Sequence, residues 1–187
     1  LDVEEIFQFL DKRKNILDGV CISGGEPLMQ EKLIPFLKEI KKRGYDIKLD
    51  VTGNYLDRLK EIVDAKLVDY IAMDVKNTKE KYALTVGSDA ENFPVESIDA
   101  CISYIRTCGI PYEFRTTIVR ELHTKEDLVA MAKWLKGVNA WYLQQFQDSP
   151  NCNQAGFHSY NKQEMLEILE AVKQYVPNAE VRGVKED

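Results

Sequence analysis

Residues 19–27 read Gly-Val-Cys-Ile-Ser-Gly-Gly-Glu-Pro, an apolar run followed by two glycines, a carboxylate and a proline. The apolar run is typical of a buried strand, and Pro27 is typical of the first position of a helix. Adjacent glycines allow a tight turn and let a ligand approach the backbone, where the Glu26 carboxylate can bind an amine. A strand-to-helix turn that binds nothing explains the same residues, so this segment alone leaves both interpretations open.

Outward from this segment, apolar stretches with a helical period alternate with short apolar runs along the whole chain. The predicted strands lie at about 18–23, 46–51, 69–75, 112–119, 141–146 and 179–183. The predicted helices lie at about 3–10, 33–40, 56–63, 98–105, 124–137 and 161–177, with a short one near 80–84. Strand–helix units in this order predict an α/β fold with a parallel sheet and outer helices, in a single domain over residues 1–187.

Composition narrows the class of protein. The 187 residues include 25 basic and 31 acidic side chains, a net charge of −6, which argues against nucleic-acid binding. No apolar run approaches the roughly 20 residues that span a bilayer, and we expect no signal peptide. Four scattered cysteines favour a reducing, cytoplasmic location. The first residue is Leu1 and not methionine, so we expect the natural chain to begin further upstream.

Polar side chains stand at the end of the second predicted strand. Asp50 and Thr52 share one face of this strand, opposite Leu49 and Val51, because side chains alternate along a strand. In α/β folds, ligands bind at the carboxyl ends of parallel strands. The alternative interpretation, which these residues alone favour, is a solvated strand end capped by Thr52 and Asn54.

Three later strands also carry polar groups. Asp74 and Lys76 share a face, and burying both costs too much unless they pair or bind a ligand. Opposed charges suit a zwitterionic ligand. Arg115 can bind a carboxylate with two hydrogen bonds, or it can pair with Glu113 on the same side. Gln145 can read a purine edge, or it can satisfy a buried neighbour.

Longer runs of sequence point to a family. Residues 68–76 read Val-Asp-Tyr-Ile-Ala-Met-Asp-Val-Lys, residues 110–117 read Ile-Pro-Tyr-Glu-Phe-Arg-Thr-Thr, and residues 143–146 read Leu-Gln-Gln-Phe. Together with the Gly-Gly-Glu-Pro run, they resemble the radical S-adenosylmethionine (SAM) activating proteins of anaerobic ribonucleoside-triphosphate reductase. Pyruvate-formate-lyase activases are more distant relatives. The resemblance covers nearly the whole chain.

The resemblance implies a fold and a set of SAM contacts. The implied fold is a partial (β/α)6 barrel, here lacking its first strand and its cluster-binding loop. The implied contacts to the amino group of SAM are Gly24, Gly25 and Glu26. The other implied contacts, to the methionyl and ribose portions and the cavity wall, are Asp50, Thr52, Asp74, Lys76 and Arg115. Gln145, considered above for the purine, is a further candidate contact.

The resemblance also implies a reaction. In that family, three cysteines of a CxxxCxxC loop hold a [4Fe–4S] cluster to which SAM binds. An electron, from a donor such as flavodoxin, cleaves SAM to a 5′-deoxyadenosyl radical, which abstracts hydrogen from a glycine of the partner reductase. The cysteines here are Cys21, Cys101, Cys108 and Cys152, which do not form that loop. We therefore expect the cluster ligands to lie upstream and this chain alone to be inactive.

The remaining candidate residues receive structural interpretations. We expect Cys21, Cys101 and Cys108 to be small buried core residues and Cys152 to be an exposed loop thiol. We expect His123 and His158 to lie at the surface, and residues 148–160 to form a lid or a partner-docking loop.

Two alternatives to the activase stay open. One is a non-catalytic module that has lost its cluster but still binds SAM, a nucleotide or a partner. The other is an unrelated small-molecule enzyme that uses Asp74 and Lys76 as acid and base, and that works in air without iron.

Overall fold

The computed structural model of the protein describes residues 2–89, 93–147 and 156–184. Six parallel strands lie in chain order within the sheet, β1-β2-β3-β4-β5-β6. The strands are β1 (Gly19–Ile22), β2 (Asp46–Val51), β3 (Tyr70–Asp74), β4 (Tyr112–Ile118), β5 (Trp141–Gln145) and β6 (Ala179–Arg182). The helices are α1 (Val3–Lys12), α2 (Leu33–Lys42), α3 (Leu56–Asp64), α4 (Tyr82–Thr85), α5 (Val95–Ile105), α6 (Lys125–Trp134) and α7 (Lys162–Lys173). The predicted α/β class with a parallel sheet is confirmed.

The chain divides into two compact units. Unit 1 comprises Leu1–Met73 and Ser97–Tyr112, and unit 2 comprises Asp74–Glu96 and Glu113–Asp187. This division does not test the expectation of a single domain over residues 1–187, which stays a prediction. None of the helices in the described ranges has the length and apolar character needed to cross a bilayer.

The core of unit 1 lies on one face of β2. Ile47 and Leu49 are fully buried, whereas Lys48 and Asp50 between them are half-buried, so the alternation predicted from the sequence is confirmed. Helix α2 packs against this strand. The fully buried side chains that α2 and α3 contribute to unit 1 are Leu37, Ile40, Leu59 and Ile62.

The core of unit 2 lies where α6 packs against α7 and α7 packs against β6. Its fully buried side chains include Phe114, Leu128, Met131, Trp141, Leu143 and Met165. Both helices begin at a capping motif that is visible in the sequence. Thr124 exchanges hydrogen bonds with Asp127 at the start of α6, and Asn161 does so with Glu164 at the start of α7, each forming a capping box.

The opening segment confirms one expectation and contradicts another. Pro27 is the first residue of a helix, as expected, but this is a 3-10 helix of one turn, Pro27–Met29; Gln30 is extended (φ −76°, ψ 117°), and α2 begins at Leu33. Strand β1 is not buried, since its residues alternate between exposed and half-buried. Within the described residues β1 pairs with β2 alone, so one of its edges has no neighbouring strand.

The turn after β2 depends on a glycine for two reasons. Gly53 has φ +94°, and a Cβ added there would lie 2.3 Å from Cε of the fully buried Met73. Gly44, which ends α2, has φ +84° but open space around it. Both positions disfavour an L side chain through the backbone, but only Gly53 also meets a packed neighbour.

We therefore expect Gly53→Ala to lower the free energy of unfolding by about 2–4 kcal/mol and Gly44→Ala by about 1–2 kcal/mol. Urea denaturation of both variants measures the two losses. The difference between them reports the clash with Met73, because the backbone cost is similar. Equal losses would show that the Met73 side chain moves aside without cost.

Candidate functional site

The Glu26 carboxylate, in unit 1, is held in one orientation. Its Oε2 accepts a hydrogen bond of 2.8 Å from the Thr52 backbone N–H and another from the Thr52 hydroxyl. Its Oε1 accepts from the Leu28 N–H at 3.0 Å. Each carboxylate oxygen offers about two acceptor positions, so further donors, such as an ammonium group, can still bind.

The two glycines before Glu26 leave the backbone open. Gly24 has φ +147°, a conformation that favours glycine. A Cβ added at Gly24 or Gly25 would meet no atom within 4 Å, and both residues are exposed. Packing therefore does not explain the glycine at position 25. Open backbone beside a fixed carboxylate fits a ligand that carries an amine.

The end of β2 supplies the other polar groups of unit 1. Asp50 is half-buried, and the Cys21 thiol donates to its Oδ1 at 3.7 Å. Cys21 is exposed, so the expectation that it is a buried core residue is wrong. Thr52 directs its hydroxyl to Glu26 and accepts from Asn54 Nδ2 at 3.2 Å. Within unit 1, Thr52 thus orients Glu26.

A groove of about 680 Å³ in unit 1 borders the same run. One wall is residues 22–27, and the other walls are apolar side chains of α1 and α2, among them Phe7 and Phe36, whose rings stack 5.5 Å apart. Met29, on the rim, is 61% exposed. The groove brings an apolar surface next to Glu26.

In unit 2, Asp74 lies between two cations. Lys76 Nζ donates to its Oδ2 at 2.8 Å, and Arg115 Nε donates to its Oδ1 at 3.0 Å. Of the two alternatives left open for Asp74 and Lys76, pairing or ligand binding, the structure shows the pair. One anion with two cations gives this cluster a net charge of +1, which favours a ligand with a carboxylate.

Glu113, the alternative partner considered for Arg115, is bonded to Arg182. The Glu113 carboxylate, 3% exposed, accepts hydrogen bonds of 3.3 and 3.1 Å from Arg182, and the guanidinium of Arg182 lies over the Tyr142 ring. Arg115 contacts Asp74.

Gln145 and the two histidines complete the predicted residues of unit 2. Gln145 Nε2 donates to the Tyr160 carbonyl at 2.7 Å. His158 is exposed and contacts Glu121, as expected for a surface group. His123 is 1% exposed, so its expected surface position is wrong. Its Nε2 lies 2.7 Å from the Lys76 carbonyl oxygen.

The described residues do not fit an iron–sulfur cluster. Within the described ranges, no three or more His, Cys, Asp or Glu side chains are grouped to hold a metal ion. Cys101 is a core residue as expected, and burial raises the pKa of its thiol to about 12, which disfavours the thiolate that binds iron. Cys108 follows the end of α5 and is only half-buried, so it is not a core residue on that helix. Cys152, and the expected lid or docking loop as far as residue 155, lie outside the described residues.

The family model of the Radical SAM superfamily matches residues 1–135 of the chain. The chain belongs to this superfamily. It is 30% identical, over 192 aligned residues, to a candidate glycyl-radical enzyme activating enzyme of Methanocaldococcus jannaschii. That alignment covers 98% of this chain and 78% of the relative. The chain is therefore a homologue of a protein named as a glycyl-radical enzyme activase.

Two solved structures share the fold of this radical SAM protein. A domain of the pyruvate-formate lyase-activating enzyme from Bacteroides vulgatus matches with a TM-score of 0.71 at 19% identity, covering 88% of this chain and 99% of that one. SuiB from Streptococcus suis bound to S-adenosylmethionine matches with a TM-score of 0.74 at 12% identity, covering 98% of this chain and 44% of that one. At these identities the likeness shows the fold alone, and it confirms the predicted radical SAM fold class.

Proposed function

We propose that this chain is the SAM-binding part of an activase that installs a glycyl radical on anaerobic ribonucleoside-triphosphate reductase. The observation that carries the proposal is the Glu26 carboxylate, fixed by Thr52 beside open glycine backbone, in a radical SAM chain homologous to a glycyl-radical enzyme activase. Resemblance of residues 68–76 and 110–117 to the reductase activases supports this choice of partner.

In unit 1, the proposed contact is with the amino group of SAM. Glu26 accepts hydrogen bonds from the ammonium group, and the open backbone at Gly24 and Gly25 lets that group approach. Thr52 holds Glu26 in position, and it lies with Asp50 where the family contacts the methionyl or ribose portion. A carboxylate already oriented before the ligand arrives loses little entropy on binding.

In unit 2, the proposed contacts are with the carboxylate, the ribose and the purine. Lys76 and Asp74 hold the methionyl carboxylate and the ribose, and Arg115 lines the same cavity. Gln145 reads the purine edge. The net positive charge of the Asp74, Lys76 and Arg115 cluster supports the carboxylate contact.

SAM, reduced through an iron–sulfur cluster, supplies the radical chemistry of the superfamily, and the protein orients and shields it. None of the described side chains is assigned to that cluster. We propose that its CxxxCxxC ligands lie outside these 187 residues, that the chain alone is inactive, and that an electron donor such as flavodoxin serves the enzyme in the cytoplasm. A SAM-binding module without a cluster is the alternative.

Electron paramagnetic resonance tests the activity. The natural protein that contains this chain is incubated anaerobically with iron, sulfide, reduced flavodoxin, SAM and anaerobic ribonucleoside-triphosphate reductase. We expect a glycyl-radical doublet on the reductase that requires SAM. A doublet only when pyruvate formate-lyase replaces the reductase would overturn the partner. Retained SAM binding with no radical on either enzyme would favour the binding module.

A further inference from the structure

His123, a buried residue of unit 2, is hydrogen-bonded to the backbone of Lys76. His123 lies between β4 and α6, is 1% exposed, and places Nε2 2.7 Å from the carbonyl oxygen of Lys76. Its Nδ1 lies 3.1 Å from the backbone N–H of Val119. The ring therefore connects the segment after β3 to the end of β4.

The hydrogen-bond partners assign the tautomer of this ring. The Lys76 oxygen can only accept, so Nε2 must carry the proton and donate to it. Nδ1 lies 3.1 Å from the Val119 backbone N and 3.2 Å from the Val119 carbonyl oxygen; in the neutral ring with its proton on Nε2, where the contact is shortest, Nδ1 accepts from the Val119 N–H. Burial lowers the pKa of His123, which favours this neutral form at neutral pH. One neutral imidazole thus satisfies two backbone groups of two different segments.

Other buried polar groups fix the position of the ring. The Tyr160 hydroxyl donates to the His123 carbonyl at 2.7 Å. On the side of Lys76, the fully buried Asn77 donates to the Leu122 carbonyl at 2.9 Å. Residues 76 and 77 are therefore bonded to residues 123 and 122, which restricts the backbone from which the Lys76 side chain extends.

We propose that His123 is a positioning residue for SAM binding: it holds the Lys76 backbone so that the Lys76 ammonium group stays on Asp74 and at the ligand. This inference rests on the proposed function of Lys76. His123 does not touch the ligand, and it acts only through the Lys76 carbonyl. We assign His123 no role as a proton shuttle or as a metal ligand.

Calorimetric titration of SAM into His123 variants tests the proposal. His123→Phe keeps the ring volume but removes the hydrogen bond to Lys76, and we expect the Kd for SAM to rise about 5- to 10-fold. His123→Gln keeps a donor near the Nε2 position, and we expect it to recover most of the affinity. Tyr45→Phe is the matched control, because it loses a buried hydrogen bond of 2.6 Å to the Leu10 carbonyl in unit 1.

A double-mutant cycle separates positioning from general destabilisation. In a Lys76→Met background, His123→Phe should change the Kd for SAM by less than about twofold, because the group through which it acts is gone. An undiminished effect in that background, or wild-type affinity in His123→Phe, overturns the proposal. A loss of affinity in Tyr45→Phe equal to that in His123→Phe overturns it too.

Hydrogen–deuterium exchange distinguishes a failure of this proposal from a failure of the proposed function. We expect peptides covering residues 75–78 to exchange faster in His123→Phe than in the wild type, with or without SAM. Faster exchange combined with unchanged SAM affinity in Lys76→Met would overturn the SAM role of Lys76 but support the backbone role of His123. Unchanged exchange would overturn the positioning role itself.

Discussion

Replacing Glu26 by glutamine is expected to raise the Kd for SAM by about 10- to 100-fold, the value of a lost hydrogen bond to a charged group. Glutamine has the same shape, but it is neutral and its amide nitrogen cannot accept from the Thr52 N–H. Thr52→Val should raise the Kd by a smaller factor, because Glu26 keeps its charge but loses one hydrogen bond that orients it. Calorimetric titration of SAM into the wild type and the two variants measures these Kd values.

Two controls make this result specific for the amino group of SAM. Glu31→Gln, an exposed substitution five residues further on, should bind SAM like the wild type. 5′-Methylthioadenosine lacks the amino-acid portion, so Glu26→Gln should not change its affinity. If Glu26→Gln weakens both ligands equally, Glu26 does not bind the amine. If it weakens neither, the assignment of unit 1 to SAM is wrong.

Local sequence was sufficient to predict most of the fold, because periodicity and turn residues act over a few neighbours. The alternation of β2 placed Asp50 and Thr52 on one face, opposite Leu49 and Val51, and the burial of this strand agrees. The helix predicted at about 33–40 is α2, and Gly44, whose φ is +84°, follows its end. Pro27 begins a helix as predicted, but proline suits the start of a one-turn 3-10 helix as well as that of an α-helix, so it does not indicate the length of the helix.

Contacts between residues far apart in the chain decided what the sequence could not predict. The segment around His123 is charged, and its partner, the Lys76 carbonyl, lies 47 residues away, so no local signal indicates burial. Thr52 bonds to Glu26 across 26 residues, Arg182 bonds to Glu113 across 69 residues, and Arg115 bonds to Asp74 across 41 residues. Once Asp74 and Lys76 were placed on one face, only the cost of burying them unpaired predicted their contact.

Replacing Asp74 by asparagine is expected to distinguish SAM from S-adenosylhomocysteine. SAM carries a sulfonium cation that S-adenosylhomocysteine lacks, so its net charge is more positive by one. Without Asp74, the cluster keeps Lys76 and Arg115 and its charge rises from +1 to +2. We expect the Kd for SAM to rise about 10- to 50-fold and that for S-adenosylhomocysteine less than about threefold, because an opposed charge is lost only for SAM.

Lys76→Met is the matched charge change in the opposite direction. Both ligands carry the carboxylate that Lys76 is proposed to bind, so this variant should weaken both to a similar extent. Asp11→Asn, which removes a surface ion pair with Arg43, controls for a general change of charge. Titration of both ligands at low and high salt measures the effect, and added salt should narrow the difference between SAM and S-adenosylhomocysteine in the wild type. Equal losses for the two ligands in Asp74→Asn would mean that Asp74 does not sense the sulfonium charge, and its role would then be limited to holding Lys76 and Arg115.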